Sequence, residues 1–350
     1  MSLDAESTMK EFATELFARI PVPLLAWFET HKRDLPWRNT ADPYRIWLSE
    51  IMLQQTRVEA VKPYFERFIT RLPDIAALAA ADDETILKLW EGLGYYSRVR
   101  NLRNAARIIM KEYDGIFPTD IAAIRALPGI GDYTAGAIAS IAFGAGEPAV
   151  DGNVLRVATR LAGSRENISR IPVRHRVADV LREVYPPGKA SEFTQSLMEL
   201  GALVCLPNGE PKCEECPLSS FCQSRKYALH SVIPVKNTAK ERKKEQRTVL
   251  ILSCGGKYAL QKRPGKGLLA SLWEFPALPG WLEIADLPSF CRAPRRGPDA
   301  VHVFSHLEWH MISYFSEVPE MLPEYVWFSP EEFPAIPSAL KRYVDAISAL

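Results

Sequence analysis

Four of the six cysteines fall within 18 residues, as Cys205, Cys213, Cys216 and Cys222, in the spacing C-x7-C-x2-C-x5-C. No other feature constrains the fold as much, because thiols this close in sequence belong to one centre. The chain begins MSLDAESTMKEFATELFARIP, with acidic residues and no apolar run, so it does not read as a secretory signal. Clustered cysteines in such a chain read as a metal site rather than a disulfide framework. The spacing suits zinc and an iron–sulfur cluster alike. Cys254 and Cys291 stand apart.

The 350 residues, 47% of them hydrophobic, allow two or three cored domains. Lys and Arg number 43 against 42 Asp and Glu, so any nucleic-acid face must be a local patch. No run of about 18 apolar residues occurs, so no membrane span is expected. A cytoplasmic location follows, nucleoid-associated in a bacterium. Apolar residues recur at helical intervals over 44–70, 75–91, 98–113, 121–144 and 191–204. Composition changes near residue 235. The stretch KNTAKERKKEQR (236–247) reads as a linker, with a solvated helix as the alternative. After it, RTVLILSC, KYALQKR, AVHVFSH and WHMISYFSEV are short β-rich runs, which predicts an α+β domain over 247–350.

The sequence LPGIG (127–131) separates two helical patterns. Gly129 and Gly131 permit a tight turn and close approach of backbone N–H groups to an anion, with the next helix N-terminus aimed at it. A helix-hairpin-helix grips a DNA phosphate in this way, without reading sequence; an ordinary packing corner is the alternative. Asp151, in AVDGNVLRV, follows about 20 residues later. A carboxylate there is placed to stabilise the positive charge that builds on a deoxyribose losing its base.

Together the hairpin, the downstream Asp151 and the cysteine cluster resemble the endonuclease III/MutY superfamily of DNA glycosylases, over residues 20–225. The resemblance implies an all-α helix-hairpin-helix glycosylase domain, an iron–sulfur domain holding a 4Fe-4S cluster on the four cysteines, and a C-terminal α+β Nudix-like domain. The expected boundaries are 1–28 with 136–228 for the cluster domain, 29–135 for the six-helix domain with the hairpin, 229–246 for the linker and 247–350 for the last domain. Many members have six residues in the first cysteine gap; here there are seven, Leu206 to Lys212.

One position selects the branch. Bifunctional members carry a Lys just after the hairpin that forms a Schiff base with the sugar. This chain has Tyr133 there, in GIGDYTAGA, which implies a monofunctional enzyme using water. Such an enzyme must protonate adenine, and a buried carboxyl with a raised pKa serves. Glu50 lies among Trp47, Leu48, Ile51, Met52 and Leu53 in WLSEIMLQQT, which resembles the MutY-type adenine DNA glycosylase motif whose Glu protonates N7.

The same resemblance implicates Trp37 and Arg38 of LPWR, Leu53 and Gln195 in the adenine pocket. It makes Gln55 and Tyr95 wedges into the duplex. Asn153 would order Asp151 and the catalytic water, and Tyr133 would hydrogen-bond Asp151. Leu155 stands where some members carry a dispensable Lys.

The region YALQKRPGKGLLASLWEFPALPG resembles the Nudix fold, but WLEIADLPSFCRAP lacks the paired glutamates of the hydrolase helix. Binding without hydrolysis is expected. HVFSHLEWH resembles the MutY loop that senses oxidised guanine, here Phe304, Ser305 and His306. The implied partner is double-stranded DNA with adenine opposite 8-oxoguanine or guanine, and a monomer is expected. Rival readings are a bifunctional glycosylase acting on oxidised pyrimidines, a non-catalytic DNA-binding protein and a Nudix nucleotide hydrolase.

Overall fold

The structure, a computed structural model, describes residues 14–238 and 241–350. Most of the opening segment (1–13) and two residues of the charged stretch (239–240) lie outside the described residues. The chain divides into two compact units, 1–80 with 101–238 and 81–100 with 239–350. Among the described residues no helix is long and apolar enough to cross a membrane.

The first unit is helical. Its main helices are Pro21–His31, Pro43–Leu53, Val58–Arg71, Ile75–Ala80, most of Ser97–Glu112, Ile121–Ala126, Asp132–Phe143, Gly152–Ala162, Ile171–Glu183 and Ala190–Leu203, with a single turn at Gln223–Lys226. Local chemistry sets their ends. Asp42 accepts the Tyr44 N–H at 2.9 Å, and Pro43 takes the first helical position, where a missing N–H costs nothing. Asp120 caps the first hairpin helix through the Ala123 N–H at 2.9 Å. In the turn, Gly129 has φ 79°, and a Cβ there would lie 2.8 Å from the Asn101 Cβ, so only glycine fits.

Helix Gly152–Ala162 buries Val154, Leu155, Val157, Ala158 and Leu161 against Leu24, Trp27 and Phe28 of the first helix and Phe193, Leu197 and Leu200 of Ala190–Leu203. Each such side chain, fully buried, stabilises by about 1.5–3 kcal/mol. A Cβ at Gly201 would come 2.5 Å from the Asn153 Cβ. The glycine therefore lets two helices close together where Asn153 sits. Cys205, Cys216 and Cys222 pack against the same core.

In the second unit, β1 (Lys243–Cys254) turns through Gly255 and Gly256 into β2 (Lys257–Lys262). Next come β3 (Trp273–Glu274), β4 (Ala277–Pro279), β5 (Arg292–Arg296), β6 (Ala300–Val303), β7 (Leu307–Glu317) and β8 (Val326–Phe328). The main path is β3-β2-β1-β7-β5, with β4 on β1, β6 on β7 and β8 on β2. β1 and β7 run parallel from Lys243↔Leu307 to Ser253↔Glu317.

Helix Lys341–Ser348 packs Tyr343 and Ile347 on Val249, Ile251, Leu260 and Phe275. Lys88 donates to the Phe333 carbonyl at 3.2 Å, and the Ile336 N–H donates to Glu91 at 2.8 Å. Strand β1 starts four residues before the expected 247, inside the charged stretch. Pairing with β7 along its whole length satisfies the backbone; Lys243 and Lys244 stay exposed, while the half-buried Glu245 and Arg247 find polar partners in Trp309 and Glu274. Between β4 and β5, where a Nudix hydrolase needs its glutamate-bearing helix, there is only a 3-10 turn, Ile284–Asp286.

Candidate active site

A cleft of about 190 Å³ in the helical unit gathers residues from distant segments. Trp37, Arg38, Glu50, Leu53, Tyr133, Asp151, Asn153 and Gln195 all line it. Glu50 faces inward from helix Pro43–Leu53 and is only 6% exposed. Burial pushes its carboxyl up to about 7; the Tyr133 hydrogen bond acts the other way, Asp151 adds to the rise and Arg38 opposes it.

Asp151 is the N-cap of helix Gly152–Ala162. One oxygen accepts the Val154 N–H at 2.7 Å and the other the Asn153 amide at 2.7 Å. Burial raises its pKa, and those two donors partly offset the rise. The Tyr133 hydroxyl donates to Glu50, not to Asp151 as the sequence suggested. Burial, together with the Glu50 and Asp151 charges, holds the phenol far above its usual pKa.

Two residues that sequence reasoning missed also line the cleft, Arg33 and Glu199. Glu199 receives Arg33 at 2.8 and 2.7 Å and Arg38 at 3.0 and 2.7 Å. Burial opposes its ionisation, but these donors prevail and hold it at about 2. Glu199 follows Gln195 by one helical turn, so the shared helix face was the available signal. Arg33 stands four residues before Trp37 and carried no signal of its own.

Behind Asp151 a second layer leads to the cysteines. Arg156 donates to the Asn153 side-chain oxygen at 2.9 Å, to the Gly201 carbonyl at 2.8 Å and to the Cys205 carbonyl at 2.7 Å. All four clustered cysteines line one cavity of about 40 Å³. Arg160 reaches the Cys205 sulfur at 3.5 Å. Backbone N–H groups of Leu218 and of Ser224 and Arg225 donate to Cys216 and Cys222. Burial pushes the Cys216 thiol up to about 12 and also raises Cys213 and Cys222. Among the described residues, no three His, Cys, Asp or Glu side chains converge as a single metal ion would require.

The other singled-out residues lie outside the cleft. Gly129 and Gly131 form the hairpin turn. Gln55 (φ 59°) and Tyr95 (φ 47°) are exposed side chains on left-handed backbone, a strained state that gathers at functional positions. Phe304, Ser305 and His306 form the β6–β7 turn, closed by the Phe304 N–H to the Leu307 carbonyl at 2.8 Å. Ser305 and His306 are exposed; Phe304 turns inward, edge-on to Trp309 at 4.9 Å.

Fold and cleft define a base-excision glycosylase with a Nudix-like appendage. The model of the HhH-GPD superfamily of base excision DNA repair proteins matches residues 48–183, and that of the NUDIX domain matches 247–346. The chain is 32% identical to the adenine DNA glycosylase of Homo sapiens across 91% of this chain and 72% of that one. It is 36% identical to the adenine DNA glycosylase of Arabidopsis thaliana across 79% of this chain and 49% of that one, so it spans about half of the plant protein. A solved thermostable thymine-DNA glycosylase matches with a TM-score of 0.55 at 30% identity, covering 62% of this chain and 98% of its own. The chain belongs to the adenine DNA glycosylase family, the MutY type. It is a base-excision enzyme that hydrolyses N-glycosyl bonds of adenine.

Proposed function

We propose that this chain acts as a monofunctional glycosylase on adenine opposite 8-oxoguanine or guanine in double-stranded DNA. It works as a monomer and leaves an abasic site without cutting the strand. The carrying observation is a buried carboxyl, Glu50, held at about 7 in one cleft with Asp151.

Adenine is a poor leaving group unless its ring is protonated. With one Glu50 oxygen engaged by Tyr133, the other is free to carry the proton to N7 of a flipped adenine. Flipping costs a few kcal/mol, which wedging by Gln55 and Tyr95 and the hairpin's hold on phosphate at Gly129 and Gly131 offset. Trp37, Arg38, Leu53 and Gln195 bind the base, with Arg33 and Glu199 fixing the cleft wall. As the glycosidic bond breaks, Asp151 stabilises the sugar cation, and Asn153 keeps that carboxylate in place. Glu50, now ionised, takes a proton from the attacking water. Tyr133 offers no amine for an imine, so strand cleavage does not follow. In the second unit, Phe304, Ser305 and His306 read the opposing base.

Cys205, Cys213, Cys216 and Cys222 would hold a 4Fe-4S cluster: all four line one cavity, and backbone N–H groups point at Cys216 and Cys222. Bound there, the cluster would cross-link the Cys205–Cys222 loop as a structural anchor.

Single-turnover base release from a duplex with adenine opposite 8-oxoguanine, run beside one with thymine glycol, tests the reading. Adenine release with nicking only after alkali is expected. Thymine glycol release with immediate nicking would overturn it.

A further inference from the structure

The second unit buries a charged cluster that the proposed chemistry does not use. Glu274 on β3 receives Arg263 at 2.5 Å, Arg247 at 3.4 Å and Gln261 at 3.3 Å. The side chains of Glu274, Arg247 and Arg263 are 7%, 17% and 16% exposed. Two cations share Glu274, and Glu245 adds a second negative charge acting on Arg247. Both cations also lie against Trp309 on β7, only 2% exposed. The guanidinium carbons of Arg247 and Arg263 lie 4.1 and 5.3 Å from its ring centroid, and its Nε1 donates to Glu245 at 3.3 Å. An aromatic face offers negative potential to a desolvated cation. Hydrophobic replacement of such a buried charge group is often neutral or stabilising, so the cluster is poorly explained by stability alone.

Trp309 also roots the recognition turn. It pairs with His302 across the β6–β7 hairpin. The Phe304 ring meets it edge-on at 4.9 Å and the His302 ring at 4.5 Å. The three rings hold the base of a turn whose tip is Ser305 and His306, and the Lys243 N–H holds the His306 carbonyl at 3.4 Å. Rotation of Trp309 would withdraw its ring from Arg247 and Arg263 at one end and release Phe304 at the other.

We propose that the Arg247–Glu274–Arg263 cluster and Trp309 position the Ser305–His306 turn and so set how strongly the enzyme prefers adenine opposite 8-oxoguanine to adenine opposite guanine. This rests on the reading of that turn as the sensor of the opposing base. The groups act through Phe304 and touch no substrate, so they are positioning residues.

The experiment measures single-turnover adenine release on both duplexes, using the full chain and its Arg247→Met, Arg247→Lys and Ser305→Ala variants. Arg247→Met should lower the 8-oxoguanine-to-guanine rate ratio about tenfold, the scale of one desolvated cation–π contact, while the rate opposite guanine stays unchanged. Arg247→Lys should recover much of the ratio, because it keeps the charge over the ring. A lowered ratio in Ser305→Ala with an unchanged ratio in Arg247→Met would overturn this proposal and leave the sensor reading intact. An unchanged ratio in Ser305→Ala would overturn the sensor reading and this proposal with it. Loss of near-UV dichroism in Arg247→Met would assign the cluster to stability and equally overturn the proposal.

Discussion

The Tyr133 hydroxyl donates to Glu50, while Asp151 spends both of its oxygens on Val154 and Asn153. Glu50 and Asp151 are thereby given different tasks. Asp151 is fixed by a helix cap, and Glu50 keeps one oxygen free. The Tyr133 contact favours the ionised form of Glu50, so its removal should raise that pKa further. Tyr133→Phe is predicted to move the alkaline limb of the base-release profile to higher pH and to slow release about tenfold through lost positioning. A limb unmoved or moved to lower pH would show that the contact does not tune Glu50.

Stability should depend on pH through the same residue. Glu50 has a folded pKa raised from 4.5 to about 7. Its contribution is therefore complete below the unfolded value and is lost as pH rises through about 7. A shift of that size corresponds to something on the order of 3 kcal/mol once Glu50 is ionised. The urea midpoint should fall between pH 4.5 and pH 8.5 for the native chain and fall much less for Glu50→Gln. Glu199 carries the opposite sign. Held at about 2, its contribution is present above the unfolded value of 4.5 and is lost progressively as pH falls from there through about 2. Equal alkaline losses in the native chain and Glu50→Gln would remove Glu50 from this role.

Arg156 joins the Cys205 carbonyl to Asn153, and Asn153 holds Asp151. Arg156→Gln should slow adenine release at least tenfold and also lower iron retention, since a buried charged donor contributes about 1.5–3 kcal/mol per bond. Kinetics and iron analysis on one preparation check both parts. Loss of iron at a full release rate would sever the link between loop and catalytic carboxylate.

Much of the fold was legible because local chemistry and global packing agree in it. The 121–144 pattern, broken by Gly129 and Gly131, became two helices and a turn that only glycine can make. The apolar setting of Glu50 was readable from its neighbours in WLSEIMLQQT, and burial is what moves its pKa. The partner of Tyr133 was misjudged because Glu50 meets it across 83 residues of sequence, a closure that no local pattern encodes. Arg33 and Glu199 escaped notice because their ion pair joins residues 166 apart, and no local pattern encodes that closure. The early start of β1 was hidden by its charges, which reveal a strand only once β7 lies beside it.

Metal analysis separates the two cofactors that the cysteine spacing allows. Iron and sulfide in equal amounts are expected in anaerobically purified protein, with both lost in Cys216→Ser, whose sulfur is the most buried of those with raised pKa. Stoichiometric zinc without sulfide would replace the cluster with a mononuclear site.

The most direct test of the account is the pH profile of single-turnover adenine release for the native chain and Glu50→Gln. The native rate should fall about tenfold per unit above about pH 7, as the acid loses its proton, and fall again at lower pH as Asp151 takes one up. Glu50→Gln should be slower by about 10²–10⁴-fold, with no limb near pH 7. A Gln variant that keeps both the rate and the limb would contradict the assignment of Glu50 as the group that protonates adenine.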